Sequence, residues 1–245
     1  LRRADRLAAL GELSAGMAHE IRNPLGSIKG TAEIFRDSLG AAHKLHEFAQ
    51  ILIKETDRLD GILTQYLELA RPKAPDPGRA ELAPVVADLV SLLAERARRA
   101  GVQVVSELTP DLPAVAMPQD ALRQVLLNLA LNAVQAMPGG GRLTIGARAG
   151  APERLKRPES PGAPAVVHLS VADTGPGIPA DVRARIFDPF FTTKRGGTGL
   201  GLAICQRIMQ GYRGTIDVEP AAPSGARFVM ELPVAAAAAP LARSA

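Results

Sequence analysis

Three residues near the start of this 245-residue chain have the types and spacing needed to receive a phosphoryl group. They are His19, Glu20 and Asn23, in the run Met-Ala-His-Glu-Ile-Arg-Asn-Pro at 17–24. Near pH 7 a neutral imidazole has a free lone pair on one ring nitrogen, so His19 can attack phosphorus. Glu20 can fix the tautomer and share the proton, and Asn23, one turn further along the same helix face, can orient a water for hydrolysis. A lone exposed histidine on a solvated helix is common, so this run decides nothing by itself.

Two asparagines four residues apart form a second group with potential chemistry. Asn128 and Asn132 share one face of a strongly apolar helical segment, where polar amides need partners. Amide oxygens suit a Mg²⁺ ion that is already held by phosphates. The alternative is a pair of core asparagines whose amides are satisfied by the backbone.

A carboxylate follows an apolar strand and begins the run Asp-Thr-Gly-Pro-Gly-Ile at 173–178. An ionised carboxylate only accepts hydrogen bonds, so Asp173 can accept one from the exocyclic amine of adenine, which guanine lacks at that position. Gly175 and Gly177 allow the backbone to approach a flat base closely. An ordinary turn at the end of a strand has the same composition, so this run too is ambiguous alone.

Two further stretches lie next to each other. Residues 186–194 contain three of the six phenylalanines and end at Lys194, which can reach phosphates from a loop anchored by the rings. A glycine-rich backbone that opens a helix binds phosphate at the helix N-terminus, and such a run follows: Gly197, Thr198, Gly199, Leu200 and Gly201. It is not a P-loop, since no Gly-Lys-Ser/Thr follows, and no strand precedes it as in a dinucleotide-binding turn.

A pair of long helices must position the histidine. Residues 1–39 and a second run to about Ala70 keep apolar residues on one seam, and the turn at Gly40 makes them an antiparallel hairpin. The seam leaves His19 on the outermost heptad position, facing solvent. Two helices alone have too little core, so the hairpin is predicted to dimerise into a four-helix bundle. His43 and His46 lack a third ligand at suitable spacing and are predicted to be solvated turn residues.

Prolines and Gly78 mark a domain boundary after the hairpin. The predicted organisation is a hairpin at 1–71, a linker at 72–80, an α/β domain at 81–233 and a disordered tail at 234–245. In the α/β domain, periodicity predicts helices at 82–100, 119–137 and 198–211, and strands at 102–108, 114–117, 142–148, 166–172, 215–219 and 227–232. The Pro-, Gly- and charge-rich segment 150–164 is predicted to be a hairpin loop of unknown role.

Composition excludes several classes of protein. The net charge of +4 is spread along the chain without a basic stripe or interleaved aromatics, which disfavours nucleic-acid binding. No apolar run has membrane-spanning length. The single cysteine, Cys205, cannot form an internal disulfide and suits a reducing compartment, so a cytoplasmic location is predicted. The chain begins at Leu1 without a Met and already inside a helical pattern, so we expect it to be part of a longer protein whose N-terminal part is missing.

The order of these groups resembles the ATP-binding domain shared by sensor histidine kinases, the Hsp90 chaperone, DNA gyrase B and the mismatch-repair protein MutL. The shared order is a pair of asparagines on a helix, Asp-x-Gly-x-Gly after a strand, a phenylalanine-rich segment and Gly-x-Gly opening a helix. The preceding His-Glu-x-x-Asn-Pro resembles the histidine kinases specifically, and the sequence around His19 and Asn132 is most similar to the NtrB-like kinases of nitrogen regulation. The resemblance covers roughly residues 7–232 and implies a helical hairpin followed by an α/β sandwich that binds ATP.

The resemblance also implies a role for each matched residue. His19 matches the phospho-acceptor, Glu20 its acid/base partner, and Asn23 the residue linked to dephosphorylation of the partner regulator. Asn132 matches the Mg²⁺ ligand, with Asn128 beside it on the nucleotide side. Asp173 matches the adenine-reading carboxylate. The remaining matches are the base loop at Gly175 and Gly177 and the phosphate lid at Lys194 and 197–201. One departure is Gln135, where many family members carry a lysine or arginine.

The implied function is that of an ATP-dependent protein-histidine kinase with ATP and Mg²⁺ as cofactors. The phosphoryl group would pass from His19 to an aspartate on the receiver domain of a response regulator, and the homodimer would also dephosphorylate that regulator. Two alternatives stay open. One is an ATP-driven clamp of the Hsp90 or MutL kind, which lacks the histidine-bearing hairpin. The other is a catalytically inactive scaffold, which the presence of all motif residues disfavours.

Overall fold

The computed structural model describes most of the chain. The described residues are 2–39, 43–70, 78–155, 166–194 and 197–235, with only the helical backbone described at 2–19 and 68–70. Most of the predicted linker, most of the predicted 150–164 loop and almost all of the predicted tail lie outside these ranges. Among the described residues, none of the helices combines the length with the apolar character that crossing a bilayer requires.

The chain divides into two compact units, each described by itself below. The first comprises Leu1–Pro72 together with Thr192–Ile204. The second comprises Lys73–Phe191 together with Cys205–Ala245. We call them the hairpin unit and the sheet unit.

The hairpin unit is built on two helices, α1 (Arg2–Ser38) and α2 (Lys44–Ala70). Arg22 Nε donates to Asp60 at 2.7 Å, which links the two helices across the hairpin. Ala32 and Ala49 are buried, because their small side chains let the two backbones approach each other.

One residue of the hairpin turn behaves differently from its prediction. His46 was predicted to be solvated, but it is half-buried. Its ring nitrogen Nδ1 donates to the carbonyl oxygens of Arg36 at 3.2 Å and Leu39 at 3.3 Å. The last carbonyls of a helix have no partner within the helix, so His46 satisfies the end of α1. His43 is exposed, as predicted.

The remaining helices and strands form a mixed α/β arrangement. In chain order they are α3 (Leu82–Ala100), β1 (Val102–Leu108), α4 (Gln119–Ala136), β2 (Gly141–Gly150), β3 (Val166–Asp173), α5 (Ala180–Arg183), α6 (Gly201–Gly211), β4 (Thr215–Pro220) and β5 (Ala226–Pro233). The strands form one sheet in the order β1-β2-β3-β5-β4. Strands β1 and β2 are parallel, and all other neighbours are antiparallel. The predicted fold class, a helical hairpin followed by an α/β domain, is confirmed.

The core of the sheet unit is aliphatic. Helix α4 buries Leu122, Val125, Leu126 and Leu129 at helical spacing, and each of these side chains is 0 % exposed. Helix α4 packs against α3 and against strands β2 and β3. Alternate residues of each strand face this layer, so the last residue of β3, Asp173, ends at the edge of the core.

Three predicted elements differ from the structure. Residues 114–117 form no strand, because Pro113 and Pro118 flank them and only Val115 makes single bridges, to Ala80 and Val234. Helix α6 begins at Gly201 rather than Thr198, since Gly199 before it has a φ of +67°. The four-residue helix α5 was not predicted, because it is too short for an apolar period to show.

Candidate active site

Asp173 is the centre of the candidate nucleotide site. It lies at the end of β3 and is only 6 % exposed. Its Oδ1 accepts hydrogen bonds from the backbone N–H of Gly175 at 2.9 Å and of Ala226 at 3.3 Å. These donors offset the cost of burying the charge. Among the described residues both bonds go to Oδ1, so Oδ2 is left to accept a hydrogen bond from a ligand.

Glycines around Asp173 allow backbone segments from distant parts of the chain to pack closely together. Gly177 has a φ of +77°, and a Cβ there would lie 2.9 Å from the carbonyl oxygen of Gly225. A Cβ at Gly225 would lie 1.8 Å from the carbonyl oxygen of Asp173, so no other residue fits that position. The loop after β3 and the turn before β5 are therefore in close backbone contact beside Asp173, and no side chain from either glycine covers the carboxylate.

Helix α4 ends beside this loop. The Oγ1 of Thr174 accepts from the backbone N–H of Arg142 at 2.9 Å, which fastens the loop to the start of β2. A Cβ added at Gly175 would lie 3.3 Å from the carbonyl oxygen of Ala136 at the end of α4. Asn132 is one turn before Ala136 on the same face, and it is half-buried. The helix thus brings the predicted magnesium ligand to the same end of the sheet unit as Asp173.

Asn128 has a partner that the sequence did not indicate. Its amide hydrogen-bonds the thiol of Cys205 on α6, and the thiol donates to the carbonyl oxygen of Val125 at 3.8 Å. Burial raises the pKa of Cys205 to about 12, and the bond from Asn128 opposes that rise only in part. The thiol is therefore neutral near pH 7, and the contact ties α6 to α4.

Aromatic rings fix the phenylalanine-rich segment to the sheet. The rings of Phe187 and Phe228 meet edge to face with centroids 6.5 Å apart. The Arg185 guanidinium lies 4.6 Å from the centre of the Phe191 ring. The first contact holds the start of the segment against β5, and the second lies three residues before Lys194.

The glycine run lies within the hairpin unit. Thr198 Oγ1 donates to Gln65 Oε1 on α2 at 2.9 Å and accepts from the backbone N–H of Leu200 at 3.3 Å. The side chain of Leu200 is fully buried, whereas Lys194 and Gly197 are exposed. The run leads into α6, whose first backbone N–H groups have no partner within the helix and can receive phosphate oxygens.

The predicted phospho-acceptor run lies in α1. The backbone of His19 is helical, and its side chain lies outside the described part of the structure. Glu20 and Asn23 are exposed. The helix continues through Pro24, and Ser27 Oγ donates to the carbonyl oxygen of Asn23 at 3.2 Å. The acid/base and water-positioning candidates therefore face solvent, where a docking protein can reach them.

Sequence reasoning missed the second wall of the nucleotide site. Gly225 and Ala226 approach Asp173 closely although they are some fifty residues away in sequence. The only local signal was the Pro-Ser-Gly turn that precedes the last strand.

Comparison with known proteins identifies both parts of the chain. Residues 117–236 match the family described as "Histidine kinase-, DNA gyrase B-, and HSP90-like ATPase". Residues 9–75 match the "His Kinase A (phospho-acceptor) domain". The catalytic domain of histidine kinase ThkA is 30% identical to this chain, with a TM-score of 0.53. The match covers 96% of that domain and 64% of this chain. The chain belongs to the histidine kinase family. The match of the hairpin excludes the clamp alternative.

Longer relatives align with nearly the whole of this chain. The sensor histidine kinase ZraS of Klebsiella oxytoca is 40% identical over 95% of this chain, which spans 48% of ZraS. The histidine kinase/phosphatase NtrB of Rhodobacter capsulatus is 34% identical over 96% of this chain and 66% of NtrB. The chain thus spans about half the length of ZraS. Because ZraS matches with higher identity than NtrB, the NtrB-like subgroup stays a prediction.

Two solved structures show the same arrangement of elements. Full-length ShkA in complex with AMPPNP is 32% identical to this chain, with a TM-score of 0.76. The match covers 94% of this chain and 47% of ShkA. ThkA in complex with the response regulator protein TrrA is 30% identical to this chain, with a TM-score of 0.63. The match covers 95% of this chain and 64% of ThkA. The ATPase-type domain supports ATP binding by the sheet unit.

Proposed function

We propose that this chain is the kinase core of a sensor histidine kinase, which transfers the γ-phosphoryl group of ATP to His19. The observation that supports it most is the buried Asp173 at the end of β3, whose Oδ1 is satisfied by backbone donors and beside which Gly175 and Gly225 pack closely. A site of that kind selects adenine, and the matched phospho-acceptor domain supplies a histidine for the phosphoryl group.

The sheet unit holds the nucleotide in this proposal. Asp173 accepts from the adenine amine, with Gly175 and Gly177 against the base. Asn132 supplies an amide oxygen to Mg²⁺, which neutralises charge on the phosphates when bound. Asn128 stays beside the nucleotide, where its bond to Cys205 fixes α6.

The lid residues complete the phosphate site. Lys194 reaches the terminal phosphates as a cation, and the backbone from Gly197 through Thr198, Gly199, Leu200 and Gly201 donates to phosphate oxygens. Their contribution is to position charge for an in-line displacement, which is most of what an enzyme supplies for phosphoryl transfer.

The helical face supplies the acceptor. A ring nitrogen of His19 attacks the γ-phosphorus, and the bond to the ADP oxygen breaks. Glu20 accepts the proton from the other ring nitrogen and so keeps the product neutral at the ring. The phosphoryl group then passes to an aspartate of a receiver domain, a step supported by the likeness to ThkA, which has been solved in complex with the response regulator protein TrrA. Asn23 orients the water that later hydrolyses the regulator's aspartyl phosphate.

The domain organisation follows from the same proposal. Residues 1–71 are the dimerisation and phosphotransfer hairpin, 72–80 the linker, and 81–233 the ATP-binding domain. Two copies pair through their hairpins as a four-helix bundle, and an upstream sensor domain shifts the dimer between kinase and phosphatase states. We place this portion of the protein in the cytoplasm, where ATP and receiver domains are found.

The test compares two histidine variants of the same hairpin. Incubation with γ-labelled ATP and Mg²⁺ labels the wild-type chain, and His19→Gln abolishes the label while calorimetry shows unchanged ATP affinity. His43→Gln, which removes an exposed histidine elsewhere on the hairpin, keeps both. ATP binding without any labelling of the wild-type chain would favour the inactive scaffold instead. Loss of both labelling and binding in His19→Gln would show that the two functions are assigned to the wrong residues.

A further inference from the structure

The described start of the predicted 150–164 loop is fastened to the sheet by a buried carboxylate. Glu231 lies in β5 and is 2 % exposed. Its two oxygens accept from the backbone N–H groups of Glu153 at 3.1 Å, Arg154 at 2.9 Å and Leu155 at 2.9 Å. Three donors in succession hold the chain across the sheet directly after β2, so this segment has a fixed position over the Glu231 side chain.

A histidine on the neighbouring strand faces the same carboxylate. His168 in β3 is the register partner of Glu231 in β5. The ring nitrogen Nε2 lies 3.0 Å from the carbonyl oxygen of Ala151, which accepts hydrogen bonds only, so Nε2 carries the hydrogen. In the neutral ring, Nδ1 then has a lone pair, and it lies 3.7 Å from Oε1 of Glu231.

The 3.7 Å between Nδ1 of His168 and Oε1 of Glu231 leaves room for a cation bound by both atoms. This distance is too long for a direct hydrogen bond, and two acceptors that face each other inside a protein repel. A tetrahedral ion with bonds of about 2.0–2.2 Å separates its ligand atoms by roughly 3.3–3.6 Å. The observed spacing of His168 and Glu231 is only slightly wider than that. The bond from Nε2–H to the Ala151 carbonyl is also the kind of outer contact that orients a metal-bound histidine.

A third donor lies within reach. One ligand atom each from Glu153, His168 and Glu231 lie within 4.8 Å of one another. Glu153 has 62% of its side chain exposed and forms an ion pair with Arg148 at 3.0 Å, which it would exchange for the ion. Its Oε1 lies 3.8 Å from Nε2 of His168. Gly150 helps to bring the parts together, because a Cβ there would lie 2.9 Å from the His168 ring.

We propose that Glu153, His168 and Glu231 bind one divalent transition-metal cation, with Zn²⁺ the best match to one imidazole nitrogen and two carboxylate oxygens. The charge of the ion adds to that of Arg148 in balancing the two carboxylates, one of which is buried. A water on the exposed side completes four-coordination. The ion joins β3, β5 and the segment after β2, so it stiffens the beginning of a loop whose role the kinase family does not define.

Metal titration of the whole chain tests this site. Chain treated with chelator and then dialysed is titrated with Zn²⁺ by calorimetry, and with Co²⁺ by visible absorption, with Mg²⁺ in excess and no nucleotide. One ion per chain is expected, with Co²⁺ bands of four-coordinate geometry. Glu153→Gln and His168→Gln each weaken binding about tenfold or more. His43→Gln serves as the matched histidine control and keeps the wild-type affinity.

Two results overturn the proposal. Absence of Zn²⁺ binding to the wild-type chain would show that these three residues do not form a metal site. Binding that survives both Glu153→Gln and His168→Gln would place the ion elsewhere. Glu153 is exposed, so its variant is expected to fold, and far-UV circular dichroism of each variant checks this. Because no ATP is used, the outcome is independent of whether His19 is phosphorylated.

Discussion

The two units of this chain differ in how far they bury their large apolar side chains. In the sheet unit, large aliphatic residues such as Leu122, Leu126 and Leu129 are fully buried. In the two helices of the hairpin unit, the buried apolar residues among those described are Ala32 and Ala49. Nine large apolar residues of those helices are 44–66% exposed, and they are Ile21, Ile28, Ile34, Phe35, Leu45, Phe48, Ile51, Leu52 and Leu59. The sheet unit has a closed core, whereas the hairpin leaves most of its own uncovered.

This difference indicates which unit needs a second copy. An apolar groove on the hairpin is lined by Ile28, Phe35 and Leu52 with smaller side chains between them. A contiguous apolar patch of this kind is costly in water and marks an association surface. In the proposed dimer, two hairpins pair through this groove and complete the core that one lacks.

The largest effect should come from a charge in the hairpin groove. In Leu52→Asp each copy loses the association free energy gained by burying a leucine side chain, about 1.5–3 kcal/mol. The dimer dissociation constant should therefore rise ~100-fold or more. Sedimentation of the chain over a range of concentrations measures it. Leu92→Asp, at a 63% exposed leucine of α3, is the matched control and should leave the dimer intact. Equal effects of the two variants would erase the contrast between the units.

A cavity in the sheet unit should affect folding instead. Leu126→Ala, at a side chain with 0 % exposure, should lower the free energy of unfolding of the sheet unit by about 2–5 kcal/mol. Urea denaturation followed by circular dichroism measures this, with Leu52→Ala as the comparison on the hairpin. If Leu52→Ala destabilised the sheet unit as much, its core would not be closed as described.

The adenine contact should account for a smaller energy. Asp173→Asn keeps an oxygen for the two backbone donors but loses the charge, so ATP binding should weaken by about 1.5–3 kcal/mol. Calorimetry with ATP measures the change. Asp181→Asn, at an exposed carboxylate of α5, should have no effect. Unchanged ATP affinity in Asp173→Asn would remove that residue from the site.

The most selective effect should come from Asn23. Asn23→Ala should slow dephosphorylation of the phosphorylated regulator while autophosphorylation stays near the wild-type rate, because only hydrolysis needs an oriented water. Parallel time courses of label on the kinase and on the regulator separate the two rates. A defect confined to autophosphorylation would assign Asn23 to the kinase step.

Elements with a long regular period could be predicted from the sequence. The helices α1 to α4 and the strands β1 to β5 follow apolar periods of 3.6 or 2, so local patterns were sufficient. Short elements were less predictable, because α5 and the bridges of Val115 have no period to detect. The strand order depends on pairing between distant segments, which no local pattern records.

The candidate site also combines features that a local sequence pattern predicts with features that depend on long-range contacts. Asp173 and the glycine run were identified because each combines a rare composition with a defined place next to a strand or a helix. The donors that satisfy Asp173 come from the loop before β5, and the partner of Asn128 is a cysteine on another helix. The contact of Glu231 with the segment after β2 is likewise long-range. Contacts of this kind arise only when the chain folds, so sequence reasoning could not find them.

The most direct test of the account locates the transferred phosphoryl group. Peptide mapping by mass spectrometry under alkaline conditions, after incubation with ATP and Mg²⁺, should place it on the imidazole of His19. The modification should be lost in acid and stable in alkali, as a phosphorus–nitrogen bond is. A phosphoryl group on a serine, a threonine or any residue other than His19, in a chain that binds ATP, would contradict the account.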